Sequence, residues 1–342
     1  MIEEQHFSAR DVFSYQEIEL SISGIYTATI GSFPLEDSIQ NRKRCIGDLI
    51  STGIDFPNYP QLTDMGAQFL DDLVEHDCGI AKKNGRYELT AKEIRAPDSP
   101  PGLGQYSWTV EHLKSKRILQ RIRLKSSATG PFTLASYIKT KDGTFPFNAA
   151  ISDIEIVRQL ASILSESCGA FADNSYVVSI DEPILSVVIG RRMLFKYSEQ
   201  DIVEIYNGLK RSCGNRLVAT HICGKLTPLL AEILLKTELN ILSHEFHDSP
   251  KNFDVYGSRE VEDSGKTMSI GCVSSKNPRI ETVEEIQDVM ERSKKYGEDL
   301  IFSPDCGFKP LRVNSGEQGY KIAMAKLRNL VEAATKFRSE HA

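Results

Sequence analysis

Short runs of apolar and β-branched residues alternate with longer stretches of helical period along most of the chain. The short runs cover 26–32 (YTATIGS), 53–59 (GIDFPNY), 123–130 (RLKSSATG), 176–183 (YVVSIDEP), 216–224 (RLVATHICG), 239–246 (LNILSHEF), 267–274 (TMSIGCVS) and 299–307 (DLIFSPDCG). Their length and their Val, Ile, Thr and Tyr content predict strands. Between most of them apolar residues recur every three or four positions, over 153–172, 199–212, 225–237, 282–297 and 319–337. That period predicts helices. Thr282, with Glu285 three positions on, is a capping-box start. Eight strands with intervening helices predict an α/β chain folded as a parallel (β/α)8 TIM barrel. An open doubly wound sheet is the alternative.

Two stretches break the rhythm. Residues 79–122 hold KKNGRYELT, a hairpin pattern around Asn84 and Gly85, and then the loop APDSPPGLGQ. They are expected to form an insertion beside the barrel. Residues 1–25 are expected to be an N-terminal extension. The whole of 1–342 then forms one domain.

The polar residues collect where strands should end. Ser32 ends the first, Asp181 and Glu182 the fourth, His221 and Cys223 the fifth, Glu245 the sixth and Cys306 the eighth. In a (β/α)8 barrel those C-terminal ends form one face, and the active site lies there. His221 and Cys223 are two apart, so in a strand they point the same way. Alone, such a pair is ordinary core. With Glu245 and Cys306 at other strand ends, it becomes an imidazole–thiolate–carboxylate–thiolate set of the kind that holds zinc.

Composition narrows the function. The chain has 342 residues and a formal net charge of −6, which lacks the basic excess that nucleic-acid binding needs. No apolar run approaches the length of a membrane span, and the acidic N-terminus has no signal-peptide core. A cytoplasmic location is expected. The seven cysteines are odd in number and scattered. They do not read as a disulfide framework.

The spaced motifs TATIGSFP (27–34), TGPFTLAS (129–136), SIDEPIL (179–185), THICGK (220–225), SHEF (243–246), NPRIETVEEI (277–286) and SPDCGFKP (303–310) resemble the catalytic C-terminal barrel of cobalamin-independent methionine synthases. The short stand-alone members of that family are the most similar. The resemblance runs from about Tyr26 to the C-terminus and is poor over 60–122. It implies a zinc ion on His221, Cys223, Glu245 and Cys306. It implies a backbone clamp for the homocysteine carboxylate at Ile30, Gly31 and Ser32, and Asp181 as partner of the homocysteine amino group.

The sequence departs from the family in three ways. The family's long N-terminal half has no counterpart. The glutamate that helps bind the amino group has none in NYPQLTDM (58–65), where Tyr59 or Gln61 stands. The proton-donor histidine falls in VSSKNPRI (273–280), where Lys276 stands instead, and Tyr137 and Val187 replace the folate-contacting tryptophan and glutamate. Lys276 and His247, two beyond Glu245 and so expected to face the same way, are the candidates for the missing acid. His244 should point oppositely and be structural, and Cys272 should be core.

The resemblance therefore implies a zinc-dependent methyltransferase that makes methionine from homocysteine, with a methyl-corrinoid, carried on a partner protein, as the expected donor. Methyl-folate is the alternative donor. Alkyl transfer to coenzyme M is a second chemistry, and Asp181 speaks against it. A zinc-binding barrel without catalysis and a decarboxylase-like barrel are the remaining alternatives. The basic run LKSKRILQRIRLKSS (113–127) reads as a solvated helix and strand face, or as a docking strip for a phosphate-bearing donor or a partner protein.

Overall fold

The computed structural model describes residues 20–311 and 315–340. Most of the expected N-terminal extension, residues 1–19, lies outside them. In chain order the strands are β1 (Ile25–Thr27), β2 (Ile80–Lys83), β3 (Arg86–Leu89), β4 (Lys125–Thr129), β5 (Ile138–Lys139), β6 (Val177–Asp181), β7 (Leu217–Ile222), β8 (Ile241–His244), β9 (Thr267–Val273) and β10 (Leu300–Pro304).

Seven of these make one curled parallel sheet in the order β1-β10-β9-β8-β7-β6-β4. The expected strand at 53–59 is not a regular ladder. It lies between the two edge strands and joins them by isolated parallel bridges, Ala28 to Phe56 and Asn58 to Lys125. Pro57 explains the interruption: it has no N–H to donate, so its carbonyl alone serves Lys125 N–H, at 2.9 Å. The barrel thus has seven regular staves and one irregular one.

Helices cover the outside. Those at Ile154–Ala172, Glu199–Ser212, Pro228–Leu235, Val283–Ser293 and Gly316–Glu340 fall on the predicted stretches. The Thr282–Glu285 capping box is formed in both directions. In the 79–122 stretch, β2 and β3 pair as the expected hairpin, with Asn84 and Gly85 at positive φ, as a tight two-residue turn requires. β5 then adds to β3, and a helix follows at Gly104–Ser115. No helix among the described residues is long and apolar enough to cross a membrane.

Inside the barrel, alternation selects the inward residues and position along each strand sets their height. Val177, Leu217, Ala219, Ile241 and Ile301 form a separate buried apolar cluster with Ile22, Ala28 and Phe56. Toward the C-terminal ends the interior turns polar. Register places Ser127 beside Ser179, Thr129 beside Asp181, Asp181 beside His221, and His221 beside Ser243. An apolar plug at one end and a polar mouth at the other is the arrangement that positions the site.

Candidate metal centre and amino-acid pocket

Strand geometry brings His221 and Cys223 together, with His221 Nε2 3.0 Å from Cys223 Sγ. Cys306 arrives from the end of β10, its Sγ 2.7 Å from that of Cys223. Both thiols are free, and the gap exceeds the ~2.05 Å of a disulfide. The ligand atoms of His221, Cys223 and Cys306 all lie within 4.8 Å of one another. His221 Nδ1 is hydrogen-bonded to Ser243 Oγ at 3.1 Å, which orients the ring and leaves Nε2 toward the sulfurs. The Cys306 thiol is held well below its usual range by Cys223, against the effect of burial, and further by His221 and the Gly307 N–H. Cys223 is pushed up by the same pairing and by burial. Two soft sulfurs and one imidazole nitrogen, aimed at one point, fit a zinc ion.

Glu245 stands next to this trio and outside the 4.8 Å group. Its Oε2 accepts from Gly224 N–H at 3.1 Å and from Lys276 Nζ at 3.2 Å, and its Oε1 from Ser249 Oγ at 2.9 Å. Lys276 is thus a neighbour of the expected fourth ligand.

His247 follows a different course from the alternation argument. β8 ends at His244, so the parity of Glu245 no longer governs it. Its Nδ1 pairs with Asp248 Oδ1 at 2.9 Å, and its Nε2 lies 3.8 Å from Glu281. It joins Asp248 and Asp305 in a separate group. His244 turns the other way, onto Tyr256 OH at 2.9 Å, and Cys272 is fully buried in the core.

The amino-acid side of the mouth is built by Ile30–Ser32, Gln61 and Asp181. Gly31 has φ +139°, and a Cβ there would collide with the Gln61 amide oxygen. Glycine is therefore needed both for the backbone and for the close approach. Ser32 bridges to Gln61, and its carbonyl accepts from Phe308 N–H at 2.7 Å. The loop that carries Cys306 is thereby tied to the clamp. Asp181 is buried, and Ser179 Oγ donates to its Oδ1 at 2.6 Å. Burial pushes its carboxyl up, while Lys125 and His221 pull it down. Glu182 is a buttress: it accepts from Phe132 N–H, Thr133 N–H and Thr133 Oγ1 at 2.6–2.9 Å. Burial carries its carboxyl up to about 8 against those three donors.

Four further residues organise the mouth and give no sequence signal of their own. Asp305 accepts from the N–H groups of Phe246, His247 and Asp248. Asn252 donates to the carbonyls of Gly224 and Glu245. The buried Glu281–Lys326 pair, at 2.7 Å, ties the last helix to Ser274, whose Oγ accepts from Lys276 N–H at 3.2 Å.

Comparison with known proteins points in one direction. The family model described as the catalytic domain of cobalamin-independent synthase matches residues 98–336. A methionine synthase of Methanothermobacter thermautotrophicus is 30% identical over 307 residues, 88% of each chain. One from Methanocaldococcus jannaschii is 29% identical over 230 residues, 64% of this chain and 67% of that one. Among solved structures, a B12-independent methionine synthase of Shewanella sp. W3-18-1 in complex with selenomethionine superposes with a TM-score of 0.65 at 19% identity, covering 93% of this chain and 99% of that one. A methyltransferase from Methanosarcina mazei gives 0.54 at 16% identity, over 86% and 84%. At these identities the two structures support the barrel fold.

Proposed function

Given that the chain belongs to the cobalamin-independent methionine synthase family through its catalytic domain, we propose that it methylates homocysteine on a zinc ion held by His221, Cys223, Glu245 and Cys306, and that a methyl-corrinoid supplies the methyl group. The observation that carries this reading is the meeting of His221, Cys223 and Cys306 within 4.8 Å at the same mouth as Asp181.

A zinc ion on these residues supplies the Lewis acid that keeps an incoming thiol deprotonated at neutral pH. The protein residues set everything else. Two thiolates and a carboxylate make the ligand set strongly anionic, so a sulfur arriving beside them stays electron-rich. Asp181 takes the ammonium of homocysteine as a charge-assisted pair. The N–H groups of the Gly31–Ser32 turn take the carboxylate. Held at both ends, the substrate presents its sulfur to the metal side of the mouth. The sulfur forms the new S–CH3 bond with its own electron pair, and the donor departs with the pair of the broken bond.

The donor argument rests on that departure. A folate amine leaving group needs a proton, whereas a methylated cobalt(III) corrinoid leaves as cobalt(I) and needs none. Lys276 stands where the family places its proton-donor histidine. Tyr137 and Val187, at the positions of the folate contacts, are 41% and 63% exposed. An open surface there suits a bulky donor delivered by another protein.

The test is a donor screen on zinc-loaded protein. Methylcobalamin, a methylated corrinoid protein and methyl-folates are each offered with homocysteine, and methionine is measured. Methionine from a corrinoid donor supports the full reading. Methionine from folate alone replaces the donor. No methionine with any donor, or a purified protein free of zinc, refutes it.

A further inference from the structure

The exposed large hydrophobic side chains of the described residues all lie at one end of the barrel. Ile39 opens the helix that follows β1. Tyr137, Phe145 and Phe147 follow β4, Val187 and Leu194 follow β6, and Ile280 follows β9. All of these belong to connections at the C-terminal ends of strands, which form the mouth face. Among the described residues, the connections at the opposite end carry none. Scattered apolar surface residues are ordinary and favour neither end of a barrel. A one-sided distribution marks a surface that something covers.

Two loops build the densest part of it, over β4 and β6. Residues 140–148 turn back on themselves, with Thr140 N–H on the Asn148 carbonyl at 2.9 Å and Asn148 Nδ2 on the Gly143 carbonyl at 3.0 Å. Phe145 and Phe147 stand out from this loop. Residues 189–193 form a narrower turn, closed by the bridge between Ile189 and Met193, and the exposed Leu194 follows it. Phe147 joins the two loops, edge-on to Phe195 with ring centres 5.9 Å apart.

Cations surround the aromatic centre. Lys141 lies on the first loop, Arg191 and Arg192 on the second, and Lys196 just beyond it, and all are exposed. Lys141 and Lys196 share with Lys92 the lining of one cleft of about 530 Å³. Among the described residues none of these side chains has an ion-pair partner. The acids of the same stretches are engaged: Asp142 holds Lys139 at 2.6 Å, and Asp153 caps the helix Ile154–Ala172 through Glu155 N–H at 3.0 Å. A chain with a formal net charge of −6 thus shows a positive, aromatic-centred surface at its mouth. Aromatic residues and arginines are what protein interfaces are enriched in.

We propose that the rim over β4 and β6 is the docking face for the protein that carries the methyl donor, and that this partner is acidic around an apolar centre. The inference rests on the protein-borne corrinoid donor proposed above. Asp181 ends β6, so a partner seated over β4 and β6 closes on the mouth where the amino acid is held. Charge selects the partner. A second copy of this chain, paired symmetrically through the same face, would set these cations against each other. An acidic carrier is drawn to them and guided into register, and the aromatic centre holds it once there.

The experiment titrates zinc-loaded protein with the methylated corrinoid protein of the donor screen. Sedimentation at the visible absorbance of the corrinoid reads the complex. Wild type should bind the carrier, and less tightly as salt is raised. R191E/R192E and K141E/K196E should each weaken binding by about tenfold or more. F147S and L194S should weaken it with the salt dependence kept. All four should make methionine from free methylcobalamin at the wild-type rate, because a free donor needs no docking. The altered side chains are exposed, so the fold should survive; if one charge-reversed pair fails to fold, the other decides. Variants that bind the carrier as wild type does, or that lose activity equally with both donors, overturn the proposal. So does a wild-type dimer that F147S dissolves, or binding to phosphatidylserine vesicles that R191E/R192E abolishes, since the face then has another occupant. Methionine from free methylcobalamin without carrier binding sinks the docking alone. Carrier binding that the variants lose, without methionine from any donor, supports the docking and sinks the homocysteine reading.

Discussion

The sulfur atoms of Cys223 and Cys306 lie 2.7 Å apart although 83 positions separate them in the chain. Their approach requires β7 and β10, three places apart in the curled sheet, to aim their ends at one point. Either cysteine replaced by serine leaves the partner without its soft counterpart. C223S and C306S should each lower zinc affinity by more than roughly 100-fold, the upper end of what loss of a mere supporting residue costs. Metal analysis after dialysis against a chelator checks this, and circular dichroism should show the fold intact.

Lys276 Nζ holds the Glu245 carboxylate at 3.2 Å, and a zinc ion on the trio would draw on the same oxygen. The lysine is more than half exposed, so its hold is worth only about 0.2–1 kcal/mol. K276M should therefore tighten zinc binding modestly, by up to about fivefold. Competition with a chromophoric chelator reads the change. Weaker zinc in K276M would mean that the lysine supports the ligand set instead of drawing from it.

Glu182 fastens the short helix Pro131–Tyr137 to the mouth through three donors. In E182Q an amide N–H2 must face one of those donors, leaving a buried group unsatisfied. The expected cost is about 1–3 kcal/mol, read as a lower urea midpoint with unchanged slope.

Lys266 supplies the pH prediction. Its ammonium is tucked under the carbonyls of Thr237 and Leu239, and burial lowers it to about 8. In the unfolded chain it titrates near ~10.4. Between those values the unfolded state binds more protons, so stability rises with pH. The burial penalty is in full force below pH ~8 and fades as pH climbs toward ~10. Wild type should gain about 1–2 kcal/mol over K266M across that window, after discounting for partial exposure. Urea titrations of both proteins at the two ends measure the difference.

Much of the mouth was legible because strand parity is a strong rule. Asp181 and His221 lie on β6 and β7, and Cys223 follows His221 by two, one residue past the end of β7. Parity also explains the misses. It does not reach His247, which lies beyond the end of β8. The six basic residues of 113–127 read as a solvated face, yet β4 turns the last of them, Lys125, into the barrel. Lysine is so seldom buried that composition argued the other way. Asp305, Asn252 and Ser243 act through backbone groups or a ring nitrogen brought near by the fold, and no local spacing marks them. The segment at 53–59 has strand composition, and a single proline sufficed to remove its ladder.

That proline has a dynamic consequence. The seam between β1 and β4 is fastened by a few amide bonds, such as Phe56 N–H to Thr27 carbonyl at 2.9 Å and Tyr59 N–H to Lys125 carbonyl at 3.2 Å, while the other junctions are strand ladders, that of β10 with β9 broken by one register shift. Amide protons along this seam should exchange with deuterium sooner than those of β6 to β9. The Ile30–Ser32 turn and Gln61, which flank this seam, then lie on the more compliant side of the mouth. The cysteines sit on β7 and β10, within the laddered part of the sheet.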